Sequence, residues 1–411
     1  MMISEPLSQY EEILKDAIRT SMKESGAKLA KTFQTLLIEI LTLYMILPRK
    51  INFTQMARYG KHGEQTYRQN FNRKKKDCID WLLLNLSLAR RVLDMDGLLA
   101  IAIDPCYISK AGKKTPHIGR FWSGCAGAVK HGLEIMGVGL LDVANNKCMM
   151  LRAHQTIGNS ALKMRNKTLV EYYISVMKRY SKKLLSITDI VVADAFFSTS
   201  TFEKGMSELG FYLVSRFRDN ACLHYIPKRE KGRGRPRVNG DKIDLANLNL
   251  SCMEELHIDG LDGKAYTLEA YAKALKKRVR LVIWRMPGGK CKLFFSTKLS
   301  MTGEEVLKTY RTRFQIEFCY RDSKQFTGLM DCQARHKSQL DFAFNASFAS
   351  LNAAKVFMKD NGMDNSMAKV KSLMFNANYT KLIFDMSRCR PNRTLISKIV
   401  KELIGWQPKA A

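Results

Sequence analysis

Acidic residues are scarce in this chain. Its 411 residues include 38 Asp+Glu against 68 Lys+Arg, a formal charge of +30. Such an excess repels itself unless an anionic partner offsets it. Nucleic acid is the first candidate, because each neutralised phosphate releases counterions; an acidic membrane surface is the second. Long apolar runs are also lacking. The longest, Leu36 to Leu47, has 12 residues and contains Glu39, whereas a spanning helix needs about 20. The opening residues, MMISEPLSQYEE, have neither the charged start nor the apolar core of a secretory signal. The expectation is a cytoplasmic protein without membrane contact. Closely spaced cysteines are missing as well. The ten cysteines come no nearer than the 13 residues between Cys319 and Cys332, which excludes a C-x-x-C zinc knuckle. In a cytosolic chain they read as small buried hydrophobes rather than disulfides. No internal repeat is present. What is there is ordinary globular material: 46% hydrophobic residues and enough length for two to four structural units.

Residues 8–48 carry apolar side chains at helical spacing (Ile13, Ala17, Met22, Leu29, Phe33, Leu36, Leu37), which predicts helices. From Arg49 to Lys76 there are nine Lys/Arg and one acid, Glu64. Thr54 is placed to cap a short helix to Tyr59, Gly60 to Gly63 forms a turn, and a second helix from Glu64 presents Gln65, Arg68, Gln69 and Asn72. That layout fits a helix-turn-helix near residues 51–76, with Arg68 and Lys74 on DNA. A solvated basic helical pair fits it equally.

The period then changes. LLAIAI (98–103) is a continuous apolar run ending at Asp104 and reads as a buried central strand. Residues 131–144 and 147–156 flank the turn Asn145-Asn146 as a hairpin. Next come a long amphipathic helix over 161–185 and a buried strand, 189–193, ending at Asp194. A helix capped by Ser198 or Thr199 and closed by Gly210 leads to a fifth strand over 211–216. Beyond it, PKREKGRGRPR (227–237) holds six Lys/Arg between Lys228 and Arg237. Arg233, Arg235 and Arg237 suit a minor-groove hook; a solvated loop is the plainer alternative. Strand-like runs at 278–285 and 291–299, joined by Pro287-Gly288-Gly289, mark residues 219–300 as a mostly β unit. Helical periodicity returns from Thr302 and continues to the end.

Asp104 and Asp194 each end an apolar strand. Charged residues are seldom buried without a partner, and strand ends face the crevice where sheets bind ligands. Each alone also reads as a turn or cap residue; together, in a basic protein, they suggest a divalent metal site built from hard oxygen donors. Tyr310, Arg313, Glu317 and Lys324 fall on one face of a helix, although an exposed Arg–Glu pair would give the same pattern. Three carboxylates and two cations suit phosphoryl transfer on a nucleic-acid backbone, where two metal ions activate the attacking oxygen and stabilise the leaving one.

The spacing Y-x2-R-x3-E-x6-K is met in full by Tyr310, Arg313, Glu317 and Lys324. With IAIDPCYISKAGK and IVVADAFFS, it resembles the DDE transposases of bacterial insertion sequences, specifically the fourth insertion-sequence family. The intervals fit as well: 90 residues from Asp104 to Asp194 and 123 from Asp194 to Glu317. The resemblance covers about residues 95–345. It implies an α/β fold with an RNase H-like mixed-sheet catalytic core, interrupted by a mostly β insertion, with helical N-terminal and C-terminal regions. The expected division is a helical DNA-binding region over 1–95, the first part of the core over 96–218 and the insertion over 219–300. The final core helix with Glu317 follows over 301–350, and a helical region suited to dimerisation over 351–411.

The same resemblance implies that Asp104, Asp194 and Glu317 form a catalytic triad holding two Mg²⁺ ions, with Mn²⁺ able to substitute. Tyr310, Arg313 and Lys324 would hold the DNA strand near the transposon end. Family members bind terminal inverted repeats as homodimers, cut both strands, often through a DNA hairpin, and join the freed 3′-OH to target DNA, in a bacterial cytoplasm beside the nucleoid. A hairpin step needs a flipped base held by an aromatic ring. Trp284 and Trp122 are candidates, and both also read as core aromatics. Two rivals stand beside the transposase reading: a catalytically inactive DNA-binding derivative, and a metal-dependent nuclease that does not join strands.

Overall fold

The apolar run from Leu99 to Ile103 is buried along its whole length, as a strand covered on both faces requires. A computed structural model of the chain describes residues 6–72, 79–227, 237, 239–363, 366–387, 392, 394 and 398. In it the run opens β1 (Leu99–Ser109), the centre of a mixed sheet. β3 (Ala128–Asp142) lies antiparallel to β1, in a register from Leu99 opposite Asp142 to Ser109 opposite Gly132. β4 (Lys147–Gln155) is antiparallel to β3. β5 (Ile190–Val192) runs parallel to β1, and β6 (Tyr212–Arg216) parallel to β5. The order β4-β3-β1-β5-β6 is that of an RNase H-like core.

Local sequence accounts for the joints. The β3–β4 turn carries Asn146 at φ 50°, a left-handed position that asparagine tolerates. The Asp142 carboxylate accepts the Asn145 backbone N–H. The helix expected over 161–185 is two helices, α6 (Asn159–Met164) and α7 (Leu169–Leu185). They separate because Asn166 is left-handed at φ 48° and Thr168 starts α7 afresh in a capping box with Glu171. Thr199 caps α8 (Ser200–Glu208), as its position suggests. β1 is longer than its apolar run: it continues five residues past Asp104. Asp104 is therefore a mid-strand residue, not a strand-end one, because β3 goes on pairing after the apolar run stops.

The β-rich segment is not a detached unit. β11 (Cys291–Ser296) pairs antiparallel with β6, and β10 (Lys277–Arg285), β9 (Lys264–Ala272) and β7 (Leu223–Tyr225) follow outward, giving one 11-stranded sheet. Gly288 and Gly289, at φ 89° and 82°, make the β10–β11 turn.

Helices cover the other edge. β4 would expose unpaired backbone groups there. α11 (Lys337–Asp360) lies along it, with Asn345 accepting the Ala153 N–H at 2.8 Å and Asn352 donating to the Met150 carbonyl at 2.7 Å. Asn85 of α5 (Trp81–Val92) donates to the Leu151 carbonyl. α11 is buried nearly all round, as a helix central to a large core must be. α1 (Pro6–Ser25) docks on it through the Tyr10 hydroxyl on the Ser350 carbonyl, and α2 (Lys31–Ile46) through the Ser350 hydroxyl on the Leu41 carbonyl. The N-terminal helices and α11 thus share one layer with α12 (Met367–Ser387).

The basic pair is two short helices, α3 (Phe53–Tyr59) and α4 (Glu64–Asn70). Asn52, not Thr54, caps the first by accepting the Gln55 N–H; Thr54 donates to Glu64 instead. No helix among the described residues is long and apolar enough to cross a membrane.

Candidate active site

Three sheet elements and one helical break build the site. Asp104 points from the middle of β1, its side chain 16% exposed. Asp194 follows β5 and caps a short turn by accepting the Phe196 N–H at 3.0 Å. The Ser215 hydroxyl holds the Asp194 carbonyl at 2.9 Å. Glu317 stands on α10 (Gln315–Phe326), which packs against β1 and β4. α9 (Gly303–Thr312) precedes it, so Tyr310, Arg313, Glu317 and Lys324 do not share one unbroken α-helix as their spacing suggested. At Arg313 and Phe314 the hydrogen bonds tighten to three-residue steps, including Phe314 to Arg311 and Ile316 to Arg313. Such a tight segment re-aims side chains without ending the helical run.

Arg313 is the hub. Its guanidinium lies 3.4 Å from Asp104 Oδ1 and 3.0 Å from Glu317 Oε1, with its side chain only 7% exposed. It also lies over the rings of Tyr310 and Phe314. Burial opposes its charge, but Asp104, Tyr310, Glu317 and Asp194 more than offset that and hold its pKa above the ordinary value. Asp104 is pushed up to about 7. Burial is the main cause; Arg313 works against it, while Asp194, Glu317 and Glu134 add to it. Burial likewise raises the Tyr310 hydroxyl, against Arg313 and Arg216. Lys324 lies beside the Cys106 thiol, two residues along β1 from Asp104.

The structure thus brings together Asp104, Asp194, Glu317, Tyr310 and Arg313, with Lys324 two helical turns from Glu317. The other candidate residues lie elsewhere. Arg68 pairs with Glu64 and stacks over Phe53, 5.0 Å from its centroid. Arg237 is exposed. Lys74, Arg233 and Arg235 fall outside the described residues. Trp284 is half-buried on β10, its indole N–H on the Asp262 carbonyl at 2.6 Å and the Lys292 ammonium over its ring. Trp122 is 61% exposed on β2 (Gly119–Ser123).

Several residues at the site escaped the sequence reading. Arg216 ends β6 beside Asp194: Val192 pairs with Val214, so both residues lie two positions beyond that pair. Its Nε is buried without a hydrogen-bond partner. Glu134 is a buried carboxylate within the apolar stretch of β3, held by the Tyr173 hydroxyl at 2.6 Å. A lone charge in an apolar run was the signal that marked Asp104, and it marks Glu134 equally. Phe196, Phe314 and Phe318 are exposed rings next to Asp194 and Glu317; nothing in their spacing sets them apart from core aromatics.

Three carboxylates with hard oxygen donors suit a divalent cation. The repulsion from Asp194, Glu317 and Glu134, which adds to the burial that raises Asp104, is what a cation would relieve. Among the described residues, no three His, Cys, Asp or Glu side chains converge as a metal cluster; the Arg313 guanidinium stands between two of the acids. The donor chemistry of the three carboxylates fits a divalent cation, with Arg313 as the counter-charge between Asp104 and Glu317.

The sequence model of the DDE superfamily endonucleases matches residues 27–257. The chain belongs to that family. The matched segment contains Asp104 and Asp194 and ends before Glu317. No curated protein matches the chain. Members of this superfamily are nucleases that use divalent metal ions on DNA, and the RNase H-like sheet described above is the fold such a nuclease needs.

Proposed function

We propose that this DDE superfamily endonuclease is a cut-and-paste transposase. In this reading it binds the terminal inverted repeats of a mobile element as a homodimer, cleaves at their ends and joins the 3′-OH to target DNA. The observation that carries the reading is the Asp104–Arg313–Glu317 contact near Asp194, on the α9–α10 segment that bears the full Tyr310, Arg313, Glu317, Lys324 spacing.

Asp104, Asp194 and Glu317 are the catalytic residues and would hold Mg²⁺, or Mn²⁺ in its place. The metal would supply Lewis-acid stabilisation of the phosphodiester displacement. Arg313 balances the carboxylates before DNA arrives and then binds a phosphate oxygen, for which its planar fork is suited. Tyr310 donates a hydrogen bond to the backbone; its raised pKa keeps that proton in place at neutral pH. Lys324 and Arg216 bind phosphates on either side of the cut. Trp284, which stacks on Phe294 beside Tyr310, and the exposed Phe314 next to Arg313 are the rings offered to a base displaced during a hairpin step. Arg68 and Lys74 in the N-terminal region, and Arg233, Arg235 and Arg237 in the basic loop, add phosphate contacts away from the cut. The C-terminal region over 351–411 would supply the dimer contact.

The test is cleavage of a duplex carrying the ends that flank the gene, with Mg²⁺, by the wild type and by Glu317→Gln. The expected result is cutting at the end boundary and joining to a second DNA by the wild type, and end binding alone by Glu317→Gln. Cutting without joining would leave a nuclease. Binding without Mg²⁺-dependent cutting would leave an inactive DNA-binding derivative.

A further inference from the structure

β1 does not stop at the carboxylates, and neither does its partner. Past Gly132, opposite Ser109, β3 leaves β1 and pairs with β2 as a two-stranded ribbon. β2 is at the end of the sheet, with β3 as its one neighbour there. The register puts Trp122 opposite Val129 and Arg120 opposite His131, so these four side chains share one face. All four are exposed, Trp122 at 61% and Val129 at 57%. A soluble chain seldom leaves a large apolar pair on an edge ribbon without a use for it.

The root of the ribbon is fixed. A side chain at Gly132 would meet the Ile108 carbonyl at 2.5 Å, so the strands cross there in close contact. The Tyr107 hydroxyl donates to the His131 carbonyl at 2.6 Å, and the His131 ring lies 3.0 Å from the Gly112 carbonyl. The ribbon is therefore a rigid extension of the strand that carries Asp104.

Its charge selects the partner. Residues 105–133 contain Lys110, Lys113, Lys114, Arg120 and Lys130, and no Asp or Glu. A stretch that presents exposed cations and apolar groups without one acid matches a polyanion with an apolar interior. A two-stranded ribbon also has the width of a DNA groove. Asp104 is opposite Gly137, and Val129 is eight residues further along β3. At about 3.4 Å per residue the apolar pair lies roughly 27 Å beyond Asp104. That is close to eight base pairs of B-form DNA at about 3.4 Å each. Such a separation takes Trp122 away from any base displaced at the cut.

We propose that the β2–β3 ribbon is a second DNA-binding site. It lies in a groove of duplex DNA about eight base pairs from the scissile phosphate. Trp122 and Val129 press on the base edges, and Arg120, on the same face, reaches a flanking phosphate. The inference rests on the reading of this chain as an enzyme acting on DNA.

The test uses the full chain in EDTA, where no cleavage occurs, with a fluorescein-labelled 30-bp duplex titrated over a range of NaCl. Because Trp122 is on the surface, its replacement leaves the core intact. Trp122→Ala should weaken binding between about 5-fold and 100-fold with the salt slope unchanged, the range expected for an aromatic ring on a base, and Trp122→Phe should restore most of it. Arg120→Ala should flatten the slope by about 1, near 0.9 for one lost phosphate contact. Variants that bind with wild-type affinity and slope would overturn the ribbon proposal alone. Sedimentation provides the other arm: if Trp122→Ala dissociates an oligomer while each protomer keeps its DNA affinity, the face is a protein interface and the proposal falls. A wild type that binds no duplex would instead remove the DNA reading on which the proposal rests.

Discussion

The Tyr320 hydroxyl donates to the main-chain carbonyl of Asp104 at 2.6 Å. This bond joins α10, which carries Glu317, to the strand that carries the first aspartate. It forms because the residue opposite Asp104 is Gly137, where a Cβ would lie 2.0 Å from the Tyr320 hydroxyl oxygen. The glycine makes room for the tyrosine, and the tyrosine sets how far the helix stands from the sheet.

That relationship gives the first prediction. Tyr320→Phe should lower stability by about 1 kcal/mol, the usual net value of one hydrogen bond, and should reduce DNA cleavage by loosening Glu317 relative to Asp104. Gly137→Ala should be worse on both counts, because the added methyl displaces the ring as well as its bond; overpacking of this kind costs about 1–3 kcal/mol. Thermal melts and cleavage rates read both. A Gly137→Ala protein with wild-type melting and wild-type rate would show that α10 is not held at this point.

The second prediction concerns pH. Folding raises Asp104 to about 7 from an unfolded value of about 4. Between those two pH values the folded chain holds a proton that the unfolded chain has lost, so metal-free stability falls as pH rises through that window. Asp104→Asn, neutral throughout, should match the wild type near pH 4 and exceed it at pH 8. Mg²⁺ should raise the melting temperature of the wild type more at pH 8 than at pH 5, and should do little for the variant. Melting curves in EDTA and in Mg²⁺ over this pH range give the answer; a difference between the two proteins that does not change with pH would remove the buried-carboxyl explanation.

The contrast between Asp104 and its neighbours shows how much of this site was legible in the sequence. An acid closing a run such as LLAIAI stands out because burial of its charge needs a reason, and the same logic located Asp194. The succession of strands and helices in the core followed from changes of period, and the turn at Asn145-Asn146 from its residues. What stayed hidden depended on distance in the chain. Arg216 reaches the site through strand register with β5, and Arg313 joins Asp104 across 209 residues. The break between α9 and α10 leaves no mark, because Arg313 and Phe314 are not helix-breaking residues. β9 was missed since its alternation is imperfect, and the attachment of β11 to β6, which merges the insertion with the core sheet, has no local signal at all.

The third prediction tests the covered edge. Asn345→Ala removes both the acceptor for the Ala153 N–H and a donor to the Ala153 carbonyl, leaving a buried strand edge with orphaned groups. Each such group costs about 1–3 kcal/mol, so urea unfolding should show a loss of about 2–4 kcal/mol, with Asn352→Ala close to it. A loss under about 1 kcal/mol would mean that water reaches β4 beneath α11. Neither asparagine is near Asp194 or Arg313 in the chain's elements, so any surviving fold should keep its DNA affinity.

The last prediction separates a phosphate contact from a structural role for Arg216. Its Nε is buried without a hydrogen-bond partner, although burying such a donor is costly. Asp194 and the Tyr310 hydroxyl are beside it, yet among the described residues Arg216 forms no ion pair with Asp194. A cation placed in this way is ready for an anion that arrives with the substrate. Arg216→Ala should therefore flatten the salt dependence of DNA binding by about 1 in log–log slope and lower affinity at low salt, while thermal stability is kept or rises as the orphaned donor is removed. Arg216→Lys should recover the slope, since the charge returns, but only part of the cleavage rate, since a single ammonium cannot give the two-pronged contact of a guanidinium. If Arg216→Ala instead lowered the melting temperature and left the salt slope untouched, the arginine would be a support for β6, and the phosphate contacts at the cut would have to come from Arg313 and Lys324.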